Sequence, residues 1–310
     1  MTIFVWIIQF IFVPALAPLF VGVIRKFKAR LQGRNGASII QPYFDLFKLF
    51  KKDEAISKDA SWIFRVAPYI VFAVTLVVSA SIPLFTLATD TILNSDILLI
   101  VYTLAIGTFF LALAGLDTGS SFGGFGSSRE MTMSALAEAG FIFSLLTMAI
   151  IAGSANLFDI AGNVGLAYDN ASLSLILAFS AFFIVLLAET SRFPFDNPAT
   201  HLELTMIHEA MIIEYSGKRL AFMEWASANK LFLFVILAVN LFFPWGLMDT
   251  LEATALTMAV AVLLAKVLVL AGVIAVIETV MSKYRFFRLP DLLITAFILN
   301  VVAISLLNTI

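Results

Sequence analysis

The sequence predicts an all-α, polytopic membrane protein with about eight transmembrane helices and with amphipathic helices on the cytoplasmic side. Of the 310 residues, 61% are hydrophobic and only 13% are charged, roughly half of the charged share that is usual in soluble domains. The mean hydropathy is +1.02. The apolar residues fall into long runs, and lysine and arginine avoid every second connection between those runs. We expect residues 1–310 to form a single integral membrane domain.

The eight apolar runs are each close to the ~20 residues that a helix needs to cross the hydrocarbon core of a bilayer. They are approximately Ile3–Ile24, Ala67–Ala88, Ile97–Leu116, Ser134–Ala155, Leu173–Ala188, Leu231–Met248, Ala255–Ile277 and Leu292–Leu307. Each run must be helical, because lipid offers no partners for backbone N–H and C=O groups. The N-terminus has no basic region and no cleavage site of small residues, so we expect the first run to be retained.

The distribution of basic residues predicts the orientation of these helices. Ten of the 19 lysines and arginines lie between Arg25 and Arg65, and the third, fifth and seventh connections carry eight more. The second, fourth and sixth connections carry none, and Lys266 lies inside a predicted helix. The positive-inside rule therefore places the long basic loops in the cytoplasm and both termini outside, for a multi-pass protein of the cell inner membrane.

The composition also limits the chemistry of the chain. It contains no cysteine and only two histidines, so disulfides, thiolate metal sites and iron–sulfur ligation are excluded. We expect neither a metal site nor a cofactor bound by this chain. The net charge of −2 predicts no nucleic-acid partner.

The first long connection combines a turn with an amphipathic helix. Gly33–Gly36 carries the Asn-Gly turn signal, and from Ile39 to Phe50 the apolar residues recur at helical spacing. Such a helix lies along the membrane surface. The connection either only fixes the topology or forms a docking surface for a cytoplasmic subunit. On the second interpretation the docking residues include Arg25, Arg30, Arg34, Asp45 and Lys48.

The third connection is rich in glycine and serine between Gly115 and Ser128. It is not a phosphate-binding loop, because no Gly-Lys-Ser/Thr follows. It is either a loop that lines a cavity or a partner, or a simple turn between helices. Glu138 is expected about one turn inside the fourth helix, where an unpaired carboxylate is costly. We group Asp117, Arg129 and Glu130 with the docking residues.

The fifth connection, Ala188 to Lys218, concentrates charge in an otherwise apolar chain. Arg192 lies within reach of Glu189 as an ion pair, and Pro194 and Pro198 break the helix. Residues 202–213 can then be helical. The spacing of His201 and His208 does not match the HExxH pattern of zinc sites. A solvated acidic helix remains one interpretation, but titratable groups at membrane depth favour proton transfer.

The seventh connection adds Glu278 at a helix end, the basic residues Lys283, Arg285 and Arg288, and Pro290 at the start of the last helix. Arg285 and Arg288 join the docking residues. Lys266 needs a carboxylate, water or a lowered pKa inside its helix. The candidate ion-path residues are Glu138, Glu189, Arg192, Asp196, Glu203, Glu209, Glu214, Lys266 and Glu278.

Together these motifs resemble the complex I subunit 1 family across nearly the whole chain. The resemblance is carried by RLQGRNG and QPYFDLFKLFKK in the first connection, by AETSRFPFD ending at Asp196, and by Glu203-Leu204, Glu214-Tyr215 and Arg288-Leu-Pro290. The segment after AETSRFPFD and the glycine-rich third connection depart from the respiratory pattern. Both look like the branch of group 4 membrane-bound nickel–iron hydrogenases, which includes hydrogenase-4 and formate hydrogenlyase.

This resemblance implies a non-redox subunit of an oxidoreductase complex. Its partners would be the hydrogenase large and small subunits, an iron–sulfur subunit and antiporter-like membrane subunits, and these partners would hold the nickel–iron and iron–sulfur centres. The chain would couple electron transfer to proton or sodium translocation. The alternative is the quinone-site subunit of a respiratory NADH:quinone oxidoreductase. A self-contained transporter is the third hypothesis, against which the absence of inverted repeats argues.

Overall fold

A computed structural model describes residues 2–87, 95–197, 206–248, 250 and 252–307, with side chains for all of these except residues 2–6, 167, 169 and 170. The described chain is helical and contains no strand. Its α-helices are α1 (Thr2–Leu31), α2 (Gln41–Phe50), α3 (Trp62–Ser81), α4 (Ile97–Asp117), α5 (Ser121–Ala152), α6 (Leu157–Asn163), α7 (Tyr168–Glu189), α8 (His208–Ile212), α9 (Gly217–Phe242), α10 (Ala253–Val280) and α11 (Leu289–Leu307). Short 3-10 helices occupy Val164–Ala167 and Phe286–Arg288.

Eight helices in the described part of the chain are long and apolar enough to cross a membrane, which confirms the predicted number. The amphipathic helix is also confirmed as α2, which exposes Phe44 and Phe47. The sixth predicted helix was placed wrongly, because α9 begins at Gly217 rather than Leu231 and ends at Phe242. Its first turns carry charged side chains, which interrupt the apolar run but find partners inside the protein.

Helix α9 is the centre of the bundle. Every residue from Leu231 to Phe242 is buried, and the helix contacts α1, α3, α7 and α10. A helix that is apolar all round belongs in an interior, where each face meets another helix. Helices α5, α7 and α11 form a second packed group beside it.

Two prolines inside transmembrane helices free carbonyls that aromatic side chains then bind. Proline has no N–H, so the carbonyl four residues before it loses its helical partner. Pro18 frees the carbonyl of Pro14, to which the Trp225 indole N–H donates at 2.8 Å. Pro68 likewise frees the carbonyl of Phe64, to which the Tyr215 hydroxyl donates at 2.9 Å. These bonds attach α9 and the segment before it to α1 and α3.

The glycine-rich third connection is mostly helical, which corrects the expectation of a loop. Helix α5 starts at Ser121, with the Ser120 side chain capping the Gly123 N–H. A Cβ on Gly123 would lie 2.1 Å from the Gly115 carbonyl oxygen, and a Cβ on Gly126 would lie 2.9 Å from the Ile207 carbonyl oxygen. Small residues let backbones approach closely in membrane proteins, so these glycines bring α4, α5 and α8 together.

Candidate functional site

Most of the candidate residues gather at one end of the bundle, which we call the charged end. It is the end at which α1 finishes and α3 begins, and it carries the first, third, fifth and seventh connections. The opposite end carries the short connections, including α6. Ion pairs at the charged end tie distant parts of the sequence together.

Glu278, near the end of α10, lies between two cations. Lys28 of α1 and Arg192, after α7, each place a nitrogen 3.0 Å from one of its carboxylate oxygens. The Lys28 ammonium also lies 4.8 Å from the centre of the Phe193 ring. A carboxylate with only 3% of its side chain exposed needs such partners, because burial of an unpaired charge is costly. The cluster joins α1, α10 and the turn that follows α7.

Asp196 organises the turn that follows α7. Its side chain is buried and forms an ion pair with Lys283. One carboxylate oxygen also accepts from the backbone N–H groups of Ile207 and His208, at 3.3 and 3.1 Å. The Tyr284 N–H donates to the Pro194 carbonyl at 3.0 Å. Asp196 therefore fixes the start of α8, and His208 with it, against the seventh connection.

Glu189 pairs with Lys230 of α9, with 2.8 Å between Oε2 and Nζ. The expected ion pair between Glu189 and Arg192 is wrong, because the chain turns after Glu189 and directs Arg192 to Glu278. Ser191, in this turn, has a φ of 52°, a left-handed conformation that is uncommon outside glycine. Backbone of this kind is concentrated at functional sites.

Two cavities meet at this turn. The larger, about 470 Å³, lies between α1, α2, α8 and α9 and is lined by Arg25, Arg192, Asp196, His208, Glu209 and Glu224 among others. The smaller, about 40 Å³, is lined by Glu130, Glu189 and Lys230 with apolar residues of α3 and α4. Thr190, Ser191, His208 and Ser227 line both. Polar groups are thus continuous from the surface at α2 to the interior ion pair.

Two groups on α8, outside the transmembrane helices, have displaced proton affinities. Burial lowers the pKa of His208 to about 4, and Lys230 contributes to the lowering. The imidazole is therefore neutral near pH 7. Burial raises the pKa of Glu209 to about 7, and Glu224 and Asp196 raise it further. A carboxyl group with a pKa near 7 can take up and release protons at the working pH.

Glu138 and Glu130 lie on α5, deeper in the helix than expected. Because α5 begins at Ser121, Glu138 is near the middle of the helix rather than one turn from its start. Its carboxylate accepts from the Ser134 hydroxyl at 3.2 Å. Glu130, grouped from the sequence with the docking residues, lines the smaller cavity beside Glu189. The structure thus places Glu130 among the candidate ion-path residues.

Lys266 lies apart from this cluster. Its ammonium donates to the carbonyls of Val239 and Phe243, at 3.3 and 2.9 Å, and to the Asn240 side-chain oxygen at 2.9 Å. The carbonyls at a helix C-terminus have no helical partners and carry a partial negative charge. Lys266 therefore caps α9, and backbone oxygens fill the role for which the sequence suggested a carboxylate.

The candidate docking residues divide into an exposed and an internal set. The exposed set at the charged end is Arg25, Arg30, Arg34, Asp45, Lys48, Arg285 and Arg288. Asp117 is partly buried and accepts from the N–H groups of Ser61 and Phe64 at the start of α3. Arg129 donates to the Met206 carbonyl at 2.9 Å. These last two side chains hold the fold together.

The remaining candidates are Glu203 and Glu214. Glu203 and His201 lie outside the described residues. Glu214 is exposed in the turn after α8. The sequence did not single out Glu224 or the cationic partners Lys28, Lys230 and Lys283. A charged side chain within an apolar helix was the available signal for Glu224 and Lys230, and it was masked because the helix start was placed too late.

The fold and this site define a class: polytopic membrane proteins with a buried, paired charge cluster at one end of the bundle. The family model described as NADH dehydrogenase matches residues 3–309. Hydrogenase-4 component C of Escherichia coli K12 is 35% identical over 87% of this chain and 85% of the relative. Formate hydrogenlyase subunit 4 of the same organism is 34% identical over 90% of each chain.

More distant likenesses agree with this assignment. A membrane subunit of the NADH-quinone oxidoreductase of Paraburkholderia phymatum is 28% identical over 81% of this chain and 72% of the relative. A chain of the membrane-bound sulfane sulfur reductase, an archaeal respiratory membrane complex, has the same fold, with a TM-score of 0.81, 21% identity and coverage of 97% and 99%. The chain belongs to the NADH dehydrogenase family, and the resemblance to its hydrogenase branch is confirmed.

Proposed function

We propose that this chain is the membrane anchor and ion-path subunit of a group 4 nickel–iron hydrogenase-type complex. The observation that carries the proposal is the pair of joined cavities, which connects the α2 surface to the Glu189–Lys230 ion pair inside a membrane protein. Charged groups within membrane helices are costly and are commonly functional. The greater identity to hydrogenase-4 and formate hydrogenlyase subunits than to the compared quinone oxidoreductase subunits supports the hydrogenase assignment.

The proposed orientation places the charged end in the cytoplasm and both termini outside. The basic first, third, fifth and seventh connections support it through the positive-inside rule. The hydrophilic redox arm would dock on this end, against the exposed arginines and α2. Its expected components are the hydrogenase large and small subunits and an iron–sulfur subunit, which would hold the nickel–iron and iron–sulfur centres. Antiporter-like membrane subunits would pack beside the chain in the bilayer.

The chemistry assigned to this chain is the movement of protons or sodium ions. Electron transfer in the docked arm changes the local potential, and the proton affinities of nearby carboxylates change with it. Glu209, with a pKa of about 7, would exchange protons with the larger cavity. The hydroxyls of Thr190, Ser191 and Ser227 line the passage from there to Glu189. Glu130 and Glu138 continue the row of carboxylates along α5.

Purification of the complex tests the assignment. An affinity tag on this chain should retain, in mild detergent, a nickel-containing large subunit with paired Cys-x-x-Cys motifs, and the preparation should evolve hydrogen. Glu138→Gln should lower ion translocation while the complex still assembles. Recovery of the chain as a lone species, without partners, would contradict the proposal and favour a self-contained transporter.

A quinone-site subunit is the second candidate, and the larger cavity is the observation that favours it. Its wall combines apolar residues, such as Pro18 and Leu46, with the polar Arg192 and Glu209, a lining that suits an amphipathic ring compound. Quinone-site inhibitors distinguish the two functions. They should leave hydrogen evolution unchanged, whereas inhibition of electron transfer in the purified complex would support the quinone assignment.

A further inference from the structure

A stripe of buried polar side chains runs along the interface of α1, α3 and α9, beyond the residues assigned above. Thr75 and Ser79 lie on α3, Gln9 on α1, and Asn229 and Asn240 on α9. All five are at most 2% exposed. Polar groups are costly in the core of a membrane protein unless they are hydrogen-bonded, so five in one interface require a physical reason.

The contacts of these residues link α3 to both neighbours at successive levels. The Asn229 amide donates to the Thr75 hydroxyl at 3.1 Å. The Ser79 hydroxyl donates to the Gln9 carbonyl at 3.4 Å. Further along, the Asn240 amide donates to the carbonyls of Pro83 and Leu84 at 2.9 and 2.8 Å. Each level on α3 is about four residues from the next, or ~6 Å along a helix.

Two polar atoms of the stripe lack partners among the described residues. They are the Oδ1 acceptor of Asn229 and the Nε2 donor of Gln9, both buried. A separation of ~6 Å between polar groups is spanned by one water molecule with ordinary hydrogen bonds of ~2.8 Å on each side. Buried waters typically bind polar groups that the protein leaves unsatisfied. The spacing and the two unsatisfied atoms both fit such waters.

The stripe joins two sites already described. At one end, Thr75 lines the smaller cavity together with Glu130, Glu189 and Lys230. At the other end, the Asn240 side-chain oxygen accepts from the Lys266 ammonium at 2.9 Å. Asn229 and Asn240 are eleven residues apart on α9, which corresponds to about 16 Å along the helix. The stripe therefore connects two titratable sites that are otherwise separated by apolar packing.

We propose that the interface of α1, α3 and α9 holds a file of water molecules that conducts protons between the Glu189–Lys230 cluster and Lys266. This inference rests on the proposed ion-path function and adds to it a branch that leaves the row of carboxylates. In each step one O–H or N–H bond breaks as the next one forms, so a proton given up at the cluster is received by the neutral amine of Lys266. No redox partner is needed.

The first test is a map of the complex in lipid nanodiscs at a resolution that shows ordered waters. Density is expected within hydrogen-bonding distance of Asn229 Oδ1 and Gln9 Nε2, and between the levels of Thr75 and Ser79. A map that resolves waters elsewhere in the chain and none along the stripe would overturn the proposal. This readout does not depend on whether the complex translocates ions.

The second test measures protons translocated per electron pair in proteoliposomes. Gln9→Leu, Asn229→Leu and Lys266→Arg should each lose most of the translocation while hydrogen evolution continues, because arginine keeps the positive charge of Lys266 but is not deprotonated. The matched control is Asn300→Leu. Asn300 is also fully buried, has an Oδ1 without a partner among the described residues, and bonds to Gly140 and Ser144 away from the stripe.

The outcomes separate this inference from the proposed function. If Glu189→Gln lowers translocation but the three stripe variants leave it intact, the water file is wrong and the ion-path function stands. Equal losses in Asn300→Leu and the stripe variants would show a general packing defect and would also overturn the file. A wild-type complex that evolves hydrogen and translocates no protons overturns both. Should Asn229→Leu fail to assemble, Gln9→Leu and Lys266→Arg still decide the question.

Discussion

The Glu189 carboxylate at the end of α7 and the Lys230 ammonium on α9 lie 2.8 Å apart, with 7% and 20% of their side chains exposed. The pair sits where the interior cavity meets the turn that carries Ser191. The second oxygen of Glu189 is buried and has no partner among the described side and main chains. This carboxylate is therefore only partly compensated, which makes its charge responsive to changes nearby.

The Glu278 cluster should be important for stability. Glu278→Gln leaves Lys28 and Arg192 without a counter-charge, and loss of one partner from a largely buried ion pair is strongly destabilising. Since Lys28 is a quarter exposed, solvent screening reduces the loss and we expect about 2 kcal/mol. Thermal unfolding of the detergent-solubilised chain measures this loss. The control is Glu252→Gln, at the exposed opposite end of α10; equal midpoints for both variants would contradict the prediction.

Glu209 should make stability depend on pH. Its pKa rises from 4.5 to about 7 in the folded chain, so the folded state favours the protonated carboxyl. The resulting stabilisation is full below pH 4.5 and is lost as the pH rises to about 7. The unfolding midpoint of Glu209→Gln should therefore gain on that of wild type across this range and remain parallel above it. Glu214→Gln, an exposed carboxylate of the same connection, is the control, and parallel curves for Glu209→Gln throughout would contradict the assignment.

Two adjacent glycines on α5 should respond to alanine in opposite ways. A Cβ on Gly123 meets the Gly115 carbonyl oxygen, whereas a Cβ on Gly124 meets nothing within 4 Å. Overpacking costs ~1–3 kcal/mol, while alanine in an open helical position gains up to ~1 kcal/mol over glycine. Gly123→Ala should lower the unfolding midpoint and Gly124→Ala should keep or raise it. The same loss in both variants would refute the close approach of α4 and α5.

The proposed orientation can be measured with single cysteines, because the natural chain has none. In right-side-out vesicles, a membrane-impermeant maleimide should label Leu166→Cys, at the end with short connections, and should not label Phe287→Cys at the charged end. Both side chains are strongly exposed, at 86% and 88%. Labelling of Phe287→Cys but not Leu166→Cys would reverse the orientation.

The number of transmembrane helices could be predicted from the sequence, because apolar runs of membrane length leave little choice in lipid. The start of α9 could not. Arg219 and Lys230 look out of place in an apolar run until Glu54 and Glu189 appear as their partners. The helical start of α5 was missed for a similar reason, since glycine is a poor helix former and only the packing against α4 and α8 shows why it is needed.

The site could be predicted as a concentration of carboxylates but not as a set of pairs. Local spacing suggested that Glu189 and Arg192 bind each other, and the structure gives each a different partner. Lys28 and Glu278 are 250 positions apart in sequence, and no local pattern relates them. The residues of the water stripe were invisible for the same reason, because single asparagines, threonines and glutamines acquire meaning only when three helices bring them together.

The central claim is that the interior charge cluster carries ions rather than only holding the docked arm. The most direct measurement is the number of protons or sodium ions translocated per electron pair by the complex with Glu189→Gln in this chain, with Glu214→Gln as the control. Glutamine keeps the size and hydrogen-bonding capacity of the side chain and removes its charge. We predict that electron transfer continues and translocation is largely lost in Glu189→Gln alone. Wild-type translocation in an assembled Glu189→Gln complex would contradict the claim.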